Sequence, residues 1–378
     1  MPQLTGKYDN INLLRAIAAL AVVVYHVIEH GRWTTFPRDG ALAYLRLGWL
    51  GVDLFFVISG FVIAHAGLLL YRKAPALFAR AYWRRRLARI LPLYLLTIAL
   101  WIAFTWKHFF AQADWGWQLF THLAFIHNFF PETHGTIDGP NWSLAVEMQF
   151  YLAVALLIGW IDRTPGWRIW LYGIVISCAW RAAMVMTYGH DDPFLLFAKT
   201  TQLPGTLDLF GAGIFLAKWV LDGQRRVPMP GLAFLLAVVA AGFVAMQLYW
   251  PRSTYWDDAY MIVFWRVALS VFFFLVVAAA VALPQVLSTR WLLPLDYLGE
   301  ISYGIYLWHL FAVTFVVRAA GLAGVDALAA VLALTLAAAA LSWHLFEKPI
   351  MDRACGKPAD LSDRATRSAR ETPAPPPA

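Results

Sequence analysis

Ten apolar stretches, each about as long as a bilayer is thick, recur along this 378-residue chain and leave it little choice of fold. They run approximately from Ile11 to Glu29, Gly48 to Tyr71, Ile90 to Trp106, Trp142 to Ile161 and Ile169 to Thr187, then from Thr206 to Leu221, Leu232 to Trp250, Met261 to Leu283, Ile301 to Val317 and Val325 to Phe346. A chain that is 61% hydrophobic and 14% charged, with mean hydropathy +0.60, holds far more apolar side chains than a soluble core can bury. The expectation is an all-α, polytopic membrane helical bundle of about ten transmembrane helices. The first stretch has only Lys7 as a basic flank and carries two polar residues, so it reads as a retained span rather than a cleaved signal peptide.

Orientation follows from the basic residues. Placing the N-terminus in the cytoplasm puts Arg72, Lys73, Arg80, Arg84, Arg85, Arg86 and Arg89 in one inner loop with no acid among them. Lys348, Arg353, Lys357, Arg364, Arg367 and Arg370 then fall at the inner C-terminal end. The outer loops hold only Arg32, Arg38, Arg46, Lys107, Lys199, Arg252 and Arg318. Both termini are therefore expected to be cytoplasmic, and topology rather than nucleic-acid binding accounts for the net charge of +7. Residues 1–353 read as one transmembrane domain. The charged, then Pro-rich stretch 354–378 reads as a disordered cytoplasmic tail. Cys178 and Cys355 suggest no disulfide, and no metal-ligand spacing is present.

Within the first span, Arg15 and His26 lie eleven residues apart. At about 100° and 1.5 Å per residue they share one helical face, roughly 20° apart around the axis and about 16 Å apart along it. A charge left in hydrocarbon costs at least about 2.5–3.5 kcal/mol, so an intramembrane Arg implies a partner or a ligand. By the same topology, Asp53 near the start of the second span and Ser143 and Glu147 near the start of the fourth fall at the depth of His26. A His with carboxylate neighbours suits proton removal from a hydroxyl. Arg89, at the end of Arg84-Arg-Arg-Leu-Ala-Arg89, falls at the depth of Arg15, and guanidinium groups match phosphate oxygens. His309 lies mid-membrane with Tyr306 one turn away, equally suited to lining a tunnel or to joining helices. Asp208, Arg181 and Arg266 are further intramembrane charges in need of partners. Trp33, Trp115, Trp117, Trp250 and Trp256 suit an interfacial belt, with sugar stacking as the other reading.

Six motifs occur in order. They are Arg15 with His26, Gly48-Trp-Leu-Gly-Val-Asp-Leu-Phe-Phe-Val-Ile-Ser-Gly-Phe61, Arg85-Arg-Leu-Ala-Arg89-Ile-Leu-Pro92-Leu-Tyr94, Trp142-Ser-Leu-Ala-Val-Glu147, Ser302-Tyr-Gly-Ile-Tyr-Leu-Trp-His309 and Glu347-Lys-Pro349. Together they resemble the acyltransferase-3 family of membrane O-acyltransferases over nearly the whole chain, without the extracellular esterase-like domain of some members. The resemblance implies transfer of an acyl group, most often acetyl, from acyl-CoA to a hydroxyl of a carbohydrate or glycosylated acceptor. It implies that His26 is catalytic, that Arg15, Arg85, Arg86 and Arg89 lie on the acyl-CoA side, and that Glu147 is a further essential position. Asp53 or Glu147 is expected to support the His26 imidazolium. Ser143, Tyr303 or an exposed backbone N–H is a candidate oxyanion donor, and Trp142, Tyr306 and His309 are substrate or tunnel candidates. Acyl-CoA is then a co-substrate, no cofactor is permanently bound, lipid surrounds the protein, and a bacterial inner membrane is the expected site. The competing class is a proton-coupled exporter, which ten spans with scattered charges would also fit.

Overall fold

The computed structural model describes residues 9–31, 33–106, 108–223, 231–249, 255–282 and 293–355. Its helices are α1 (Asp9–His30), α2 (Gly51–Lys73), α3 (Phe78–Phe104), α4 (Trp115–Leu123), α5 (Pro131–His134), α6 (Asn141–Arg163), α7 (Gly166–Tyr188) and α8 (Pro193–Thr200). They continue with α9 (Leu207–Leu221), α10 (Gly231–Tyr249), α11 (Arg266–Ala282), α12 (Leu293–Glu300), α13 (Ser302–Val313), α14 (Gly324–Ser342) and α15 (Lys348–Cys355). No strand occurs among the described residues.

Each of the ten apolar stretches is helical over nearly all of its described residues, which makes the protein a multi-pass membrane bundle. Among the described residues seven helices are long and apolar enough to cross a bilayer, and α12 with α13 makes an eighth if that bent pair counts as one span. Helix α9 has only 15 residues, about 22 Å of rise against a hydrocarbon core of about 30 Å. It is short because Pro204 and Gly205 turn the chain immediately before it, in the 3-10 segment Leu203–Thr206. The proposed tail lies almost wholly outside the described residues, as does Trp250.

Helix α2 is the hub, packed by α1, α3, α6, α9 and α11. Its crossing with α9 needs two glycines. A Cβ on Gly60 would stand 2.3 Å from the Phe210 carbonyl oxygen, and one on Gly213 would stand 2.2 Å from that of Val57. Backbones in van der Waals contact gain packing where no hydrophobic effect separates lipid from protein. The intramembrane charges left open by the sequence find each other. Arg181 on α7 and Asp208 on α9 pair at 2.5 Å with both side chains fully buried, and Arg181 also donates to the carbonyls of Gly205 (2.8 Å) and Val263 (3.0 Å).

Near the ninth stretch the helix breaks at Ile301, and α12 meets α13 at 73°. The bend frees the Glu300 carbonyl, which accepts from Arg89 Nη2 at 2.9 Å. Irregular backbone at membrane depth persists where protein groups satisfy it, and here α3 supplies the group.

Candidate active site

Two cavities lie inside the bundle, and Val52 and Tyr306 line both. The smaller, about 170 Å³, is walled by Arg15, Arg86 and Arg89 together with Ser59, Glu147, Tyr151, Ser302 and Tyr303. The larger, about 1260 Å³, holds His26, Asp53, Trp142 and a set of loop residues. The eleven-residue spacing on α1 therefore puts Arg15 in one chamber and His26 in the other.

In the arginine chamber the three guanidinium groups differ. Arg89 is committed: besides Glu300 it faces Glu347 Oε2 at 3.7 Å and lies 4.7 Å over the Trp343 ring. Glu347 in turn accepts from Ser342 Oγ at 3.0 Å. Arg86 stacks at 5.8 Å over Tyr151 and 5.9 Å over Tyr82, and its buried Nε has no hydrogen-bond partner. Arg15 makes no hydrogen bond or ion pair among the described residues, so its charge faces the cavity unanswered. Arg85 is exposed and does not line the chamber, contrary to the expectation that it joins the cluster. On a helix, residues one apart face different ways.

Glu147 also sits here, not beside His26. Its Oε1 accepts from Tyr151 Oη at 2.5 Å and Ser59 Oγ at 2.7 Å. With Arg89 answered by Glu347, Arg15 and Arg86 against Glu147 leave a positive chamber, lined also by Phe55, Phe56, Ile58, Val62, Ile63 and Leu144. A narrow apolar bore with cations suits a thin chain that carries anionic groups at one end.

The expected carboxylate neighbour of His26 is absent. Asp53 lines the same chamber, but its Oδ1 faces Arg266 Nη1 at 3.1 Å, and Arg266 Nε bonds the Tyr255 hydroxyl at 3.2 Å. A cation from α11 captures it because a buried carboxylate needs a charge partner. What faces His26 is His309. Its Nε2 stands 3.2 Å from His26 Nδ1, which is also 2.9 Å from the Val22 carbonyl.

With both rings in the neutral form, these contacts assign their tautomers. His309 Nδ1 lies 2.5 Å from the Tyr306 carbonyl, which only accepts, so Nδ1 carries the proton and Nε2 is bare. Two acceptors then face His26 Nδ1, which must be protonated. The remaining nitrogen, His26 Nε2, keeps its lone pair. That arrangement leaves one imidazole nitrogen able to accept a proton, without a carboxylate against the ring.

Tyr306 joins the two chambers in a second way. Its hydroxyl is 2.6 Å from Ser143 Oγ and 3.1 Å from the Pro140 carbonyl, a knot at the start of α6. Ser143 and Tyr306 are thus brought together at the shared wall. Tyr303 is not free, since its hydroxyl donates to the Ile90 carbonyl at 2.8 Å. Trp142 faces the histidine chamber and Tyr303 the arginine one. Sequence reasoning missed Ser59 and Tyr151, and it singled out Arg266 as a charge in need of a partner without finding that partner in Asp53. Ser59 was within reach, because it stands in the motif that carries Asp53, six positions on.

Over the histidine chamber lies the loop that contains α4 and α5. His122 and His127 stack there at 4.0 Å with ring planes 2° apart. Burial pushes His122 down, and burial with His122 as neighbour pushes His127 well down. Burial and then the Lys199 charge hold His134 at about 4. Asp138, fully enclosed, is pushed well above the usual carboxylate range by burial.

A model of the acyltransferase domain matches residues 8–347. The chain belongs to the acyltransferase-3 family. A relative from Komagataeibacter xylinus described as a membrane-bound transacylase, BcsY, is 28% identical over 92% of this chain and 84% of its own length. YrhL of Bacillus subtilis (strain 168), whose name gives peptidoglycan O-acetyltransferase, is 27% identical over 89% of this chain and 54% of its own. The peptidoglycan O-acetyltransferase OatA of Listeria monocytogenes is 26% identical over 91% of this chain and 56% of its own. The chain thus spans about half the length of these last two relatives. No solved structure matches it.

Proposed function

We propose that this acyltransferase-3 member carries an acetyl group from acetyl-CoA on the cytoplasmic side to a hydroxyl of a glycan on the far side of a bacterial cytoplasmic membrane. One observation carries the reading: an unpaired arginine and a histidine with a bare Nε2 stand on one helix in two cavities that share a wall. The phosphates of CoA would rest by Arg15 and Arg86, and the thin pantetheine arm would follow the apolar bore toward Tyr306. The basic loop around Arg84 and Arg85 supports a cytoplasmic position for that end, by the positive-inside bias.

At the wall, His26 Nε2 takes the proton of the acceptor hydroxyl as its oxygen attacks the thioester carbon. The tetrahedral oxyanion is met by the Ser143 or Tyr306 hydroxyl, which already share a proton across 2.6 Å and can turn toward a new acceptor. The C–S bond then breaks, the acetyl ester remains on the acceptor, and the proton on Nε2 passes to the CoA thiolate. His309 Nε2, beside the Val22 carbonyl, accepts from His26 Nδ1 and shares the imidazolium charge for the lifetime of that step. An exporter needs a path that a solute can cross, and the Tyr306 and Val52 wall between the chambers argues against one.

The test is purified protein in nanodiscs with acetyl-labelled acetyl-CoA and a panel of glycans. Transfer that falls by about 10²–10⁴-fold in His26→Ala, with the fold retained by size-exclusion profile, supports the assignment. Transfer undiminished in that variant overturns it.

A further inference from the structure

The larger chamber has a built wall opposite in character to the arginine bore. His134, at the end of α5, is 1% exposed, and its Nε2 is buried without a hydrogen-bond partner. The ring stacks on Trp142 at 5.8 Å with planes 15° apart and meets Phe197 edge-on at 5.3 Å. Phe197 in turn meets Trp142 at 5.0 Å and Trp256 at 5.8 Å. All four residues line the chamber that holds His26.

Buried imidazoles find partners as a rule, so an unpaired nitrogen in a cavity wall points to a ligand group that completes it. A pyranose offers both features that this wall lacks: polarised C–H bonds for aromatic faces, and a ring of hydroxyls for an unpaired nitrogen. Burial keeps His134 neutral, so it meets the hydroxyl as a hydrogen-bonding group and not as a cation.

The chamber's charges decide the kind of sugar. Of its three arginines, Arg46 pairs with Glu29 at 2.6 Å and Arg266 with Asp53 at 3.1 Å. The third, Arg38, is outnumbered by Asp39 and Asp257. Such a chamber offers an anionic ring no net positive field. At about 1260 Å³ it also exceeds the ~300–1,000 Å³ of ordinary small-molecule sites, so one ring would leave most of it empty.

We propose that the His134–Trp142 wall is the acceptor subsite and takes an uncharged, multi-ring glycan segment, one hydroxyl of which is oriented by His134. The inference rests on the acyl-transfer reading for its use, and its test does not. Binding of cellotetraose, maltotetraose and chitotetraose, with tetragalacturonate as the anionic control, is followed by saturation-transfer NMR and competition on the full chain in nanodiscs.

At least one neutral tetramer binds, tetragalacturonate binds more weakly, and His134→Leu lowers the neutral affinity by about tenfold or more. His134→Gln, whose amide reaches the position of Nε2, restores most of it, and a structural role for the ring alone would give no such rescue. Binding by no neutral tetramer, equal affinity for tetragalacturonate, or unchanged affinity in His134→Leu overturns the subsite. His26→Ala separates the two readings, since it should abolish acetyl transfer and leave glycan binding in place. If it instead leaves transfer intact, the acyl-transfer assignment fails while the subsite stands.

Discussion

Replacing His309 by Asn tests how the base is built. Asn places its amide nitrogen near the position of Nδ1, so the bond to the Tyr306 carbonyl survives while the atom that faces His26 is deleted. His26 Nδ1 retains the Val22 carbonyl at 2.9 Å, and its tautomer is unchanged. What is lost is one hydrogen bond of about 0.5–1.5 kcal/mol. At 1.36 kcal/mol per tenfold, kcat should fall by about 2- to 13-fold with the KM for acetyl-CoA unaltered. His26→Ala removes the base itself and should cost about 10²–10⁴-fold. Initial rates of acetyl transfer from labelled acetyl-CoA, for both single variants and the double variant, measure the difference. The double variant should match His26→Ala, since a positioning residue has nothing left to position. If His309→Asn alone falls as far as His26→Ala, the two rings act as one catalytic unit and the division of roles is refuted.

Arg15→Gln should raise the KM for acetyl-CoA by about 10- to 150-fold, the worth of a charge-assisted hydrogen bond of about 1.5–3 kcal/mol, and leave glycan affinity alone. An unchanged KM, read from steady-state rates, would remove Arg15 from the donor site. Asp208→Ala strands Arg181 in a fully buried site and should cost about 3–5 kcal/mol, seen as loss of the monodisperse peak on thermal challenge. Unaltered thermal stability there would mean that water reaches Arg181. Acidification should open the loop over the histidine chamber. The folded pKa values of His122, His127 and His134 are lowered, so the unfolded loop binds more protons below its pKa near 6.5 and stability drains as pH falls toward the folded values. For His134 the window runs from about 6.5 to about 4, worth about 3 kcal/mol at 1.36 kcal/mol per unit. Asp138, raised, acts with the opposite sign, one carboxyl against three histidines. Hydrogen exchange of the loop should therefore quicken from pH 7 to pH 5, after correction for intrinsic rates. Increased protection over that range would contradict the burial of these rings.

The fold was legible because its signal is one-dimensional: runs of apolar residues become helices wherever a bilayer is the solvent. The division of Arg15 from His26 was legible for the same reason, since helical rise is fixed by the backbone. The failures share a cause. Depth alone grouped Asp53 and Glu147 with His26, but depth says nothing about which helices are neighbours. Arg266 on α11 captures Asp53, while Tyr151 and Ser59 hold Glu147 on the arginine side. His309 is 283 positions from His26, and their meeting depends on how α13 packs on α1. The shortness of α9 and the bend at Ile301 are likewise set by a local turn and by tertiary capture of a carbonyl, which hydropathy averages away.

The knot of Tyr306, Ser143 and Pro140 has a consequence beyond chemistry. A protein that admits a charged donor from one face of a membrane and a sugar from the other is nearly a pore, and a pore would short-circuit the gradients the cell maintains. Tyr306 and Val52, which line both cavities, stand where such a leak would pass. On the acyl-transfer reading, the residues beside the bond exchange would also be the ones that must keep ions from crossing.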